Sequence, residues 1–117
     1  LALAPDAAYA ASNLCYLLLV GGELNAAESA CRRALAADPT STTARNNLGL
    51  VYAAAGRMAD AEAAFLESGG PAAASFNLGL VSLATGDLAR ADSRFAEALR
   101  LDPGDREAAD RSGELVV

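Results

Sequence analysis

Residues 13–31 read NLCYLLLVGGELNAAESAC, 47–65 read NLGLVYAAAGRMADAEAAF and 77–95 read NLGLVSLATGDLARADSRF. Laid over one another, the three stretches share their landmarks. Each opens on Asn-Leu (Asn13-Leu14, Asn47-Leu48, Asn77-Leu78) and has a small residue next, Cys15, Gly49 or Gly79. A glycine follows at Gly22, Gly56 and Gly86, then an alanine at Ala27, Ala61 and Ala91, and the stretch closes on Cys31, Phe65 or Phe95. Every landmark moves by 34 residues and then by 30. The prolines keep the same rhythm, with Pro5 and Pro39 34 apart and Pro103 a further 64 along. Self-similarity at such a period marks a chain built from one supersecondary unit, repeated.

The unit is a pair of helices. Asp6, or Ser41 with Thr42, is placed to cap a first helix, A. Helix A runs to the mid-unit glycine, which suits a tight turn into a second helix, B. Small residues at Cys15/Gly49/Gly79 and at Ala27/Ala61/Ala91 let the two helices approach closely. Leu14, Leu48, Leu78, Phe65 and Phe95 fill the space between hairpins, since one hairpin alone cannot bury its apolar face. The short second step removes four residues between Phe65 and Leu78, close to one 3.6-residue turn. Helix B of the second unit is therefore expected to end about a turn early, closed by Gly69 and Gly70.

The 34-residue step, Leu48-Gly49 with Tyr52, Ala61, Phe65 and the closing proline together resemble the tetratricopeptide repeat, over about residues 7–105. Departures stand at the usual tryptophan of helix A, here Ala11, Arg45 and Ser75, and in the first repeat, where Cys15 takes the glycine position and Cys31 the aromatic one. The resemblance implies an all-α, right-handed solenoid of helical hairpins with about three repeats in one domain, 1–117. Residues 1–5 end a preceding helix B, 6–39 form the first repeat, 40–70 a shortened second and 71–104 a third. Residues 105–117 are a capping helix or the start of a fourth repeat. Apolar Leu1, Leu3, Leu115, Val116 and Val117 would then lie at open ends.

Composition agrees with this and excludes much else. Thirty alanines, 53% apolar residues and only 5% aromatic ones describe closely packed helices. The net charge of −6, with nine scattered arginines and no lysine, argues against nucleic acid. Arginine without lysine beside so much alanine suggests a GC-rich bacterial genome. The longest apolar run, Leu14 to Val20, is far shorter than the ~20 residues a membrane helix needs, so no membrane insertion is expected. There is no histidine, no phosphate-binding glycine motif and no nucleophile elbow, so the chain is read as no enzyme and as having no cofactor and no metal. The compartment is unknown, the cytoplasm being slightly favoured over the periplasm.

Function is therefore expected from surfaces. The resemblance implies a protein or peptide partner laid in a concave groove lined by the A helices. Carried over residue by residue, that groove is Tyr9, Ser12, Asn13 and Tyr16, then Thr43, Asn46, Asn47 and Leu50, then Ala73, Phe76, Asn77 and Leu80. Asn13, Asn47 and Asn77 are aligned, and an amide per repeat can bond a peptide main chain whatever its sequence. Some relatives grip a C-terminal carboxylate with cations; the corresponding Ser12, Tyr16, Asn47, Ala73 and Asn77 include none, so a receptor of that type is not expected. A second reading is self-assembly, as a homo-oligomer joined through open repeat ends. Cys15 and Cys31 face each other across one hairpin and are read as buried small hydrophobes, a disulfide forming only in an oxidising compartment. Charges such as Glu28, Arg32 and Arg94 are read as a solvated outer face.

Overall fold

The computed structural model describes residues 5–104, with side chains from residue 7. Among them are five helices and no strand: α1 (Pro5–Val20), α2 (Leu24–Ala37), α3 (Thr42–Ala54), α4 (Met58–Ala84) and α5 (Leu88–Leu101). The readings placed on residues 1–4 and 105–117, including the apolar ends, lie outside the described residues. Asp6 falls within α1. Ser41 does cap, its Oγ accepting from the Ala44 amide at 3.1 Å, and Asp87 does the same for α5 from Arg90.

The hairpin turns repeat one local solution. Gly22, Gly56 and Gly86 sit at φ of 80°, 79° and 82°, a left-handed conformation that side chains with a Cβ resist. In each turn the glycine amide reaches back to Leu19, Ala53 or Leu83. The next amide (Glu23, Arg57 or Asp87) reaches Leu18, Tyr52 or Ser82 at 2.8–2.9 Å. That bond pair closes a helix by satisfying its last carbonyls, and it is the Schellman arrangement.

The chain divides into two compact units, residues 1–68 and 69–117. In the first, α1, α2 and α3 each pack on the other two, with the opening part of α4 beside them. Its core is Ala27, Ala30, Cys31, Ala34, Ala44, Leu48, Val51, Ala61 and Phe65 with Cys15. In the second, the later part of α4 and α5 bury Ala74, Leu78, Ala91, Phe95 and Ala98. Between the helical parts of α4 the backbone leaves helical geometry at Gly70 (φ 86°, ψ −176°), with Pro71 next. The deletion read from the sequence thus leaves no separate loop, because one glycine makes the whole break.

The close approach inside each hairpin takes two forms. A Cβ added to Gly49 would run into the Phe65 ring, and one added to Gly79 would lie 2.5 Å from the Phe95 ring. The ring therefore rests directly on the glycine. In the first hairpin the equivalent positions are joined: Cys15 and Cys31, Cα atoms 5.2 Å apart and fully buried, form a disulfide between α1 and α2. This overturns the reading of two buried thiols. The residues that hold glycine and phenylalanine elsewhere face each other at bonding range, so cysteine at both makes a covalent crossing of the same contact.

Polar ties fasten the hairpins sideways. Glu28 receives Arg32 at 2.9 Å and Arg57 at 3.2 Å, the Tyr52 hydroxyl accepts from Arg32 at 2.7 Å, and the Arg57 guanidinium lies 4.4 Å from the Tyr52 ring centre. Part of what reads as an outer charged face thus joins α2 to the turn before α4. Two of the three tryptophan positions, Arg45 and Ser75, hold a polar pairing instead. Arg45 bonds Glu67 at 2.6 Å, and in the same register Ser75 Oγ donates to Glu97 at 2.7 Å.

Candidate functional site

On the first unit, α1 presents Tyr9 and Tyr16, 69% and 50% exposed, with exposed Asn13 between them. Positions 9, 13 and 16 share a helix face. Leu17 and Val20 extend that stripe, both well exposed, and sequence reasoning had not included them. Their signal was present in the 14–20 apolar run, which is longer than one buried face of a helix requires. Across from α1, α3 contributes exposed Thr43 and half-buried Asn46, Asn47 and Leu50.

Two of the expected residues meet directly. Ser12 is buried, and the Asn47 amide nitrogen donates to its carbonyl at 3.4 Å and its hydroxyl at 3.3 Å. The Asn47 amide thus braces α3 against α1. Beside this brace lies a pocket of about 260 Å³, lined by Ala8, Tyr9, Ser12, Asp38, Thr40, Ser41, Thr42 and Thr43. Tyr9, Ser12 and Thr43 therefore converge, and the lining brings hydroxyls and one carboxylate. The Thr40 hydroxyl bonds Asp38 at 2.6 Å and the Thr40 amide at 3.0 Å, which together hold the Asp38 carboxyl below its ordinary pKa.

On the second unit the expected residues follow one another on α4. Phe76 is half-buried, its ring 5.5 Å from that of Phe95 and tilted by 48°, so much of it belongs to the core. Asn77 and Leu80 are half-buried, as is Ala73. Among the described residues no three His, Cys, Asp or Glu stand together as metal ligands, and no helix is long and apolar enough to cross a membrane.

Paired helices closed by identical turns, repeating in sequence, are the pattern that family models recognise here. Models described as tetratricopeptide repeat match residues 17–71 and, separately, 74–107, which together make up most of the chain. The chain belongs to the tetratricopeptide repeat family. No curated protein matches it in sequence. Solved tetratricopeptide domains do match in fold. The first tetratricopeptide domain of Spaghetti (RPAP3), bound to an HSP90 peptide, superposes with a TM-score of 0.65 at 18% identity, covering 98% of this chain and 94% of that one. The second such domain of human RPAP3, in complex with an HSP70 peptide, gives 0.64 at 20% identity, covering 96% and 98%. At these identities the likeness is one of tetratricopeptide fold.

Proposed function

We propose that this chain is a non-catalytic interaction scaffold that holds a peptide or protein segment along the exposed faces of its A helices. The observation that carries the reading is the stripe on α1: two exposed tyrosines and an asparagine beside a hydroxyl-lined pocket. Tyrosine gives large contact area with few rotors to freeze, which is why it dominates binding surfaces. That two tetratricopeptide domains of the same fold are solved with bound peptides supports it. In the first unit Tyr9, Asn13, Tyr16, Thr43, Asn46 and Leu50 contact the partner, while Ser12 and Asn47 keep α1 and α3 in register. In the second unit Phe76, Asn77 and Leu80 offer a smaller surface of their own. Ser12, Tyr16, Asn47, Ala73 and Asn77 carry no cation, which argues against a ligand held by its C-terminal carboxylate.

The test uses peptides selected from a displayed library against the wild-type chain. Tyr9→Ala/Tyr16→Ala should weaken the selected peptide at least about tenfold with an unchanged circular dichroism melt. Equal affinity in that variant would remove the α1 face from consideration. A second reading, self-assembly through an open repeat end, has one observation in its favour: Leu14 and Leu17 are exposed, whereas their register equivalents Leu48 and Val51 are buried. It requires a solution mass that rises with concentration and is reset by Leu17→Glu.

A further inference from the structure

We infer that the Cys15–Cys31 disulfide is a redox lock on the first hairpin, deciding whether α1 stays docked and so whether its tyrosines are presented. For presentation, the inference rests on the binding role proposed for α1; for docking, it stands alone.

The argument begins with what the other hairpins use at this point. Gly49 and Gly79 have no Cβ because the Phe65 and Phe95 rings occupy that space, and both rings are fully buried. Each such crossing is held by a large apolar side chain packed against bare backbone. The first hairpin has neither partner. With the bond broken, Cys31 supplies far less volume than a phenylalanine ring, and the Cys15 side chain stands where such a ring would lie. Two buried thiols leave the contact underpacked, and underpacked helix crossings loosen.

The seat of α1 is made of small residues: among its described side chains those buried are Ala8, Ser12 and Cys15, while Leu17 and Val20 are exposed. Ser12 is tied to α3 by two long bonds from Asn47. The turn after α1 closes through backbone bonds that any sequence with Gly22 would make. The covalent link therefore does for α1 what ring packing does for α3 and for the later part of α4.

The chemistry balances with a dithiol as reductant. Its thiolate attacks one Sγ and releases the other cysteine as thiolate. The second thiol of the reductant then displaces the protein from the mixed disulfide. Two electrons and two protons pass to the protein, leaving Cys15 and Cys31 as thiols and the reductant as a cyclic disulfide. Both cysteines are fully buried, so this attack requires the hairpin to open. Removing the 16-residue cross-link frees the unfolded hairpin as well. In a reducing compartment the lock stands open, and in an oxidising one it is shut.

The experiment compares the full chain before and after dithiothreitol. Iodoacetamide labelling in denaturant, read by mass, should find no free thiol before and two after. Reduction should speed hydrogen exchange of α1 amides at least tenfold while α5 amides keep their rates, and should lower the Tm by about 10 °C. A Cys15→Gly/Cys31→Phe variant, which installs the packing of the other hairpins, should show protected α1 amides with or without dithiothreitol. Two labels on the untreated chain, or α1 exchange unmoved by reduction, would overturn the lock. So would a dithiothreitol response that persists in the double variant. If α1 opens on reduction while the library-selected peptide still binds, the lock stands and the binding role of α1 falls.

Discussion

At the contact between Gly79 and Phe95 a single methyl group decides stability. Gly79→Ala must push the Phe95 ring out of its buried seat, a cost of about 1–3 kcal/mol as overpacking. Gly49→Ala should behave alike against Phe65. Gly56→Ala meets no neighbour and should lose about 1–2 kcal/mol from its positive φ alone. Urea denaturation of the three variants separates the causes, since enlarging Phe95's room with Phe95→Leu should relieve Gly79→Ala and leave Gly56→Ala untouched. Asp38 gives a pH test. Its folded pKa is lowered by Thr40, so the stabilisation is present above the unfolded value and fades as pH falls through the folded one. Wild type and Thr40→Val should therefore differ in melting temperature near neutrality and converge only as pH falls below the ordinary aspartate range, through the lowered folded pKa. The glycine contacts were legible in the sequence because small and aromatic landmarks recur at matching steps. The disulfide was only half legible: the same landmarks set Cys15 and Cys31 facing each other across one hairpin, but nothing in the sequence carries the redox state of the pair.

Helix ends and helix joins follow from short-range chemistry, and most of them could be read in advance. Glycine at a fixed place after each A helix is enough to call up the same turn three times. The α4 interruption was legible as a deletion of about one turn, but its form was not. That one residue could redirect the chain depends on Gly70 adopting φ 86° and ψ −176°, a region essentially closed to residues with a Cβ. Gly70→Ala is expected to cost about 1–3 kcal/mol, more than substitutions at neighbouring Ser68, and hydrogen exchange around residues 66–74 should report it locally. The side-chain ties between elements were hidden, because Arg45–Glu67 and Ser75–Glu97 match in position but not in residue type. A double-mutant cycle on Arg45 and Glu67 should give no more than about 1 kcal/mol, as Glu67 is largely exposed.

At the scale of the molecule, each of the two compact units has a fully buried phenylalanine ring of its own. Phe65→Ala and Phe95→Ala each delete a fully buried ring and should cost about 3–5 kcal/mol. Each should raise hydrogen exchange mainly in its own unit, in residues 1–68 for the first and 69–117 for the second. Equal loss of protection across both units in either variant would mean that they unfold as one. All-α architecture and repeat family were readable from periodicity because burial enforces it. The candidate binding residues were readable only as positions on helix faces. Exposure then sorts them: Tyr9 and Tyr16 lie open, while Ser12, Asn47 and Phe76 are partly or wholly spent on internal contacts.

The paired cysteines also constrain how such a hairpin can change by single substitutions. Starting from glycine beneath phenylalanine, as at 49 and 65, gaining a side chain at the glycine first drives it into the ring. Shrinking the aromatic first leaves a void, about 3–5 kcal/mol when the whole ring is lost, against about 1–3 kcal/mol for a methyl driven into the ring. Neither single step is neutral, so the two positions are coupled and one kind of crossing replaces the other only when both residues change together.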